Sequence, residues 1–118
     1  YGNDYDTPDG TAIRDYIHVS DLAEIHFRVL KKISTINKSY IINCGYHKGT
    51  SVTQVVNEFK KQVKKNISII YKKRRAGDLA MVIANNKKLK ETINWRPKYN
   101  KLSTIVKSCI QWEKLINS

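Results

Sequence analysis

From Ser20 onward the chain sets Leu22, His26, Val29, Leu30 and Ile33 on one stripe, with Ile25 and Phe27 beside it. That spacing predicts an amphipathic helix over 20–33. Ser20 stands as its N-cap, Asp21 and Glu24 lie near the positive end of its dipole, and Lys31 and Lys32 near the negative end. On the apolar stripe His26 reads as a core histidine with its hydrogen bonds satisfied. A second stripe, Val52, Val55, Val56, Phe59 and Val63, follows Ser51 and Gln54, whose spacing is that of a capping box, and predicts a helix to about Lys65. A third helix is expected from Asn86 to about Ile93, with Trp95 and Pro97 marking its exit. A fourth, from Ser103 to about Ile116, sets Ile105, Cys109, Trp112 and Ile116 on one face.

Between these helices lie three runs with strand character: Arg14 to Val19, Tyr40-Ile41-Ile42-Asn43-Cys44 ended by Gly45, and Ile67 to Tyr71. Strand, helix and strand in that order predict a right-handed parallel crossover. The expected fold is α/β: a small mixed domain with a short parallel strand–helix–strand crossover and about four helices. Residues 1–12 hold Gly2, Asn3, Asp4, Asp6, Pro8, Asp9 and Gly10 and read as an entering loop. With no internal repeat and no linker-like stretch, residues 1–118 form one unit.

The length of 118 residues suits one core and is too short for two. Apolar types make up 41% and charged types 27%, which excludes disordered and collagen-like readings. No apolar run approaches the roughly 18 residues a membrane span needs, so no membrane partner is expected. The two cysteines, Cys44 and Cys109, have neither zinc spacing nor a disulfide framework and read as reduced, buried thiols of a cytoplasmic protein. Tyr1 in place of Met points to processing or to a piece of a longer polypeptide.

Net charge is +12, which raises a nucleic-acid partner. Residues 1–30 carry six acids and two arginines, whereas 31–118 carry twenty bases and four acids. Seventeen of the bases are Lys, beside 15 Ile and 10 Asn, a compositional bias in which Lys serves to solvate surfaces. The pairs Lys60-Lys61, Lys64-Lys65 and Lys87-Lys88 fall on polar sides of the helices. A solvated helix face therefore outranks nucleic-acid binding.

A parallel crossover places ligands beyond the carboxyl ends of its strands, at Asn43-Cys44-Gly45 and at Tyr71 to Asp78. The amino terminus of the Ser51 helix would add backbone donors for an anionic group at that edge. Arg75 and Asp78, three apart across a glycine, suit a phosphate and a vicinal diol. An exposed Arg–Asp pair in a turn satisfies the same spacing. Asp4, Asp6 and Asp9 sit in a turn-rich loop without the later ligands of a calcium site, so no metal is expected. His18, Asp15 and Ser20 have the letters of a triad, but neighbours on one strand point to alternate faces. The glycines at 2, 10, 45, 49 and 77 make no dinucleotide fingerprint, and no Tyr is followed four residues later by Lys.

Three motifs then occur in order: Gly2-Asn3-Asp4-Tyr5 with Arg14-Asp15-Tyr16-Ile17-His18-Val19-x-Asp21-Leu22-Ala23; Asn43-x-Gly45-x-x-x-Gly49-x-Ser51-Val52; and Arg74-Arg75-x-Gly77-Asp78, followed by Asn94-Trp95-Arg96-Pro97. Together they resemble the carboxyl-terminal half of the UDP-glucose 4-epimerase family, extended Rossmann-type short-chain dehydrogenase/reductases. The resemblance implies a UDP-sugar-binding domain over 1–118. NAD and the catalytic Tyr-x-x-x-Lys would belong to an amino-terminal half absent from the chain. It implies Arg14 and Arg75 on the pyrophosphate, Asp78 on the ribose hydroxyls, Tyr1 and Val52 lining the uracil and ribose pocket, and Tyr16 behind them. The implied reaction removes hydride from sugar C4 to NAD, rotates the 4-keto intermediate and returns the hydride to the other face. The chain by itself would be inactive, and the intact enzyme a homodimer. A different nucleotide-sugar epimerase, a dehydratase or a decarboxylase is the alternative within this superfamily. His47 stands where a glycine is usual. Val82 stands where a bulky aromatic closes the sugar pocket and a small residue opens it, which implies tolerance of N-acetylated UDP-sugars.

Overall fold

A computed structural model describes residues 1–36 and 39–117. The element order is β1 (Ile13–Arg14), α1 (Val19–Ile36), β2 (Thr50–Ser51), α2 (Val52–Val63), β3 (Met81–Val82), α3 (Lys87–Thr92) and α4 (Leu102–Ile116). Four helices and a small mixed sheet match the expected class. The sheet runs β2-β1-β3, with β1 antiparallel to β2 and parallel to β3.

The strands, however, are not where the apolar runs put them. Of the run 14–19 only Arg14 lies in a strand, and Tyr40–Cys44 and Ile67–Tyr71 lie in no strand at all. The parallel pair joins β1 to β3 instead. Its reason is local satisfaction: the Ile13 amide donates to Ala80 O at 2.8 Å and the Val52 amide to Ala12 O at 3.1 Å, which pins β1 between its neighbours. After Arg14 the chain leaves the sheet, and its polar side chains serve other segments.

Helix α1 begins at Val19 and runs three residues beyond the expected end. Ser20 is not its cap. The His18 ring takes that place, its Nδ1 accepting the Ser20 amide at 3.1 Å. His26 is exposed, with Nδ1 2.8 Å from Leu22 O, and so is not a core residue. Helix α2 has the expected capping box, the Gln54 amide donating to Ser51 Oγ and the Ser51 amide to Gln54 Oε1. It closes at Lys64, whose φ of 54° ends the helix before Lys65.

The main core gathers Ile25 of α1, Leu89 of α3, and Ile93 and Trp95, with Ile42 and Cys44 packed against it. Helices α2 and α4 pack on each other, and Val106 is the buried residue of α4. Cys109, Trp112 and Ile116, expected on the inner face, are exposed, because the inward stripe runs through Leu102, Ile105 and Val106. Both cysteines carry free thiols; Cys44 is half-buried and Cys109 is not buried.

Candidate ligand-binding site

The sheet brings two of the expected residues together. In the β1–β3 register Arg14 is the partner of Val82. Both line a hollow of about 490 Å³ with Asp15, Asn43, Cys44 and Ala84. One terminal nitrogen of Arg14 donates to Ile13 O at 2.8 Å, which steers the side chain back along its own strand. Tyr16 is half-buried; burial raises its pKa, opposed by the nearby Arg14 charge, so the phenol stays protonated at neutral pH.

A second cluster forms where the amino terminus meets residues 72–78. The Gly2 amide donates to Lys72 O at 2.7 Å. Arg74 lies 4.1 Å over the Tyr5 ring and donates through Nε to Asp4 Oδ1 at 2.7 Å. Arg75 lies 5.0 Å over the Tyr1 ring, and its Nε donates to Asp78 Oδ2 at 2.9 Å. The same pair closes a turn, the Asp78 amide donating to Arg75 O at 3.3 Å. Gly77 has φ 80° at the third position, where a type II turn requires it. The ion pair and hydrogen bond to Asp78 hold the Arg75 guanidinium charged. Because Nε alone makes that bond, both terminal nitrogens of Arg75 are without a partner among the described residues. The expected Arg–Asp pair in a turn thus exists, and it keeps a two-pronged donor open.

Val52, at the head of α2, is 40% exposed and follows β2 directly. The helix amino terminus itself is not an anion receptor. Its amides are spent internally: Ser51 on Gln54, Val52 on Ala12, Thr53 on Thr11 Oγ1 at 3.2 Å and Gln54 on Ser51. Asp9 accepts from Ser51 Oγ, and from the Thr11 hydroxyl at 2.7 Å and amide at 3.0 Å. The Ser51 and Thr11 hydroxyls hold its carboxyl below the ordinary range. The expectation of backbone donors at this edge is corrected accordingly.

Two acidic anchors escaped the sequence reading. Asp15, the residue after β1, accepts the Tyr46 amide at 3.0 Å and the His47 amide at 2.9 Å and so ties down the loop that follows Gly45. A Cβ on Gly45 would collide with that carboxylate and with Ala84, which explains the glycine. His47 adopts φ 59°, the left-handed region, at the position where the resemblance has a glycine, and its ring Nδ1 is 2.9 Å from Ala84 O. Asp21, fully buried, accepts from the Tyr46 hydroxyl at 2.6 Å, the Lys98 amide at 3.1 Å and the Tyr99 amide at 3.0 Å. Burial pushes its pKa up, but these donors outweigh that and hold it below the ordinary value. His18 stacks on Tyr99 at 4.7 Å beside it. The sequence signal for Asp21 was hidden by its place in the first turn of a helix, where any acid looks like a dipole partner.

A family model described as GDP-mannose 4,6 dehydratase matches residues 1–108. UDP-glucose 4-epimerase of Azospirillum brasilense is 41% identical over 114 residues, which are 97% of this chain and 33% of that protein. Among solved structures, the UDP-Glc/GlcNAc 4-epimerase of Campylobacter jejuni matches with a TM-score of 0.84 at 40% identity, over 98% of this chain and 35% of that one. UDP-glucose-4-epimerase from Stenotrophomonas maltophila, solved with bound NAD and formylated UDP-arabinopyranose, matches with a TM-score of 0.90 at 28% identity, over 99% and 34%. The chain spans about a third of the length of these relatives.

Proposed function

Because this chain belongs to the GDP-mannose 4,6-dehydratase family and is similar over nearly its whole length to 4-epimerases of UDP-sugars, we propose that residues 1–118 form the nucleotide-sugar-binding part of an NAD-dependent UDP-sugar 4-epimerase. The observation that carries the reading is the Arg75–Asp78 turn under Tyr1. There, one short turn offers a guanidinium fork and a carboxylate, and Tyr1 from the amino terminus an aromatic face. The fork suits phosphoryl oxygens, the carboxylate accepts from ribose hydroxyls, and the ring covers a base. Arg14 supplies the second cation for the diphosphate, with Val52 and Tyr16 shaping the pocket. Val82, 47% exposed beside Arg14, leaves the sugar side open to an N-acetyl group.

The residues present do not fit NAD. Its diphosphate takes a glycine-rich turn from a strand into a helix, whereas Gly49, the glycine nearest before α2, packs its Cα against Ile13 and Ile83, and the amides of that helix are already occupied. The cofactor and the hydride chemistry therefore belong to polypeptide outside this chain, and the chain's own part is to bind and orient the substrate. The reading places the intact protein in the cytoplasm, interconverting UDP-glucose and UDP-galactose.

Titration calorimetry of the chain with UDP and with uridine tests it. UDP should bind, and Arg75→Ala should weaken it by at least about tenfold, or 1.4 kcal/mol, while uridine is indifferent to that change. Equal loss for UDP and uridine, or no binding of UDP at all, overturns the assignment.

A further inference from the structure

Arg74 stands next to the Arg75 fork but serves a different segment. Two of its three guanidinium nitrogens are spent on one residue of the entering loop: Nε donates to Asp4 Oδ1 at 2.7 Å, and Nη2 donates to Asp4 O. The side-chain bond holds the Asp4 carboxyl below its ordinary range, so the pair is ionised at neutral pH. The same guanidinium lies 4.1 Å over the ring of Tyr5, which is buried. The Tyr5 hydroxyl has no hydrogen-bond partner among the described residues, so packing and this cation hold the ring. A two-pronged grip on a ligand by Arg74 would require Asp4 to let go, whereas Arg75 bonds through Nε alone and has its terminal nitrogens free for one.

Between Asp4 and the Tyr1 ring lies Gly2 at φ 76°, a backbone joint with wide freedom of its own. A Cβ there would collide with the Tyr5 ring and with Arg74 Cγ, so those two side chains fill the space beside the joint and limit its rotation. The Gly2 amide then donates to Lys72 O at 2.7 Å. Tyr1 itself is 62% exposed, with Lys72 Nζ 5.9 Å and Arg75 5.0 Å from its ring centre. Cations over an exposed ring are weak tethers. We propose that Arg74 is a positioning residue of the nucleotide edge: by gripping Asp4 and Tyr5 it clamps the backbone at Gly2, fixes Tyr1 over Arg75, and so raises affinity for the base without touching the ligand. The proposal rests on the functional reading in taking Tyr1 as the cover of the base.

Titration calorimetry with uridine and with UDP, applied to Arg74 variants, tests it. Arg74→Ala should weaken both ligands alike, by about fivefold, the scale of having to order one side chain on binding. Arg74→Lys keeps the charge and loses the planar two-nitrogen grip, so it should lose about as much. Lys73→Ala removes the same charge from the neighbouring exposed residue and should change neither ligand by more than about twofold. Because Arg74 acts through Tyr1, adding Arg74→Ala to Tyr1→Ala should cost nothing further, where a general loosening of the fold would add its own loss. In the free chain, magnetisation transfer between the Tyr1 ring protons and the Arg75 side chain should be seen by NMR and should vanish in both Arg74 variants. Unchanged uridine affinity, a loss confined to UDP, recovery in Arg74→Lys, or additivity with Tyr1→Ala each overturns the proposal while the reading of Arg75 stands. Absence of UDP binding overturns that reading, and the Tyr1–Arg75 ring contact then decides the clamp: its persistence in Arg74→Lys sinks it.

Discussion

The sheet end and the α1 end of this molecule are finished to different degrees. Around β1, β2 and the head of α2, the carboxylates of Asp9 and Asp15 and the hydroxyls of Thr11 and Ser51 all find partners within the chain. Around α1 and Tyr40–Cys44, Phe27, Leu30 and Ile41 are exposed apolar side chains, and Tyr40–Cys44 joins no ladder among the described residues. One end meets these polar groups from within the chain and leaves the terminal nitrogens of Arg75 and the Arg14 hollow open among the described residues. A ligand edge can thus be held by polar contacts beside a region that leaves apolar side chains exposed, because buried polar contacts fix geometry where apolar burial supplies stability.

The two ends meet at Asp21, and removing it is the strongest way to break the contrast. Asp21→Ala strands the Tyr46 hydroxyl and the Lys98 and Tyr99 amides in a buried site. We expect a loss of about 3 kcal/mol in urea unfolding, with Asp21→Asn recovering part of it. Since a single domain has on the order of 5–15 kcal/mol in hand, Asp21→Ala should be the most damaging single change discussed. The pH dependence carries a sign. The folded carboxyl sits below its ordinary 3.8, so the stabilisation is fully present above that value and is lost as pH falls through the lower folded one. An acid titration of stability that is steep in the native chain and flatter in Asp21→Asn would bear this out; identical slopes would refute it.

A smaller effect separates the polar end from an ordinary helix start. Ser51→Ala removes the acceptor of the Gln54 amide and the donor to Asp9 at once. The expected cost is about 1 kcal/mol, and Ser51→Thr should retain most of the native value. A shift of the urea midpoint at constant slope is the measurement. An unchanged midpoint would mean that the cap and its carboxylate are decorative.

The helices were legible because their signal is local: a period of 3.6 and a capping box lie within one segment. The strands were not, since a two-residue ladder such as Ile13–Arg14 against Met81–Val82 is decided by contacts some seventy residues apart. Tyr40–Cys44 shows the reverse case, a strand-like sequence that joins no ladder among the described residues. At the site, Arg75 and Asp78 could be read from a glycine turn, and Arg14 only from a resemblance. Asp15 and Asp21 were invisible as anchors because what they bind is mostly backbone amide, which every sequence has. The donors expected from the Ser51 helix failed for a related reason: Thr11 and Ala12, forty residues earlier, had already taken its amides.

The finest test concerns His47, where the polar end departs from the glycine its relatives' pattern leads one to expect. A non-glycine residue at φ 59° is strained by about 1 kcal/mol, and the ring contact with Ala84 O offsets roughly as much. His47→Gly therefore loses a hydrogen bond and sheds the strain, and should leave stability within about 0.5 kcal/mol of the native chain by those magnitudes. His47→Ala keeps the strain and loses the bond, so it should fall about 1 kcal/mol below both. The order Gly and His together, Ala beneath, is what a ring that compensates its own backbone requires. If Ala matched His, the contact with Ala84 would contribute nothing, and the loop would be held by Asp15 through the Tyr46 and His47 amides without help from the ring.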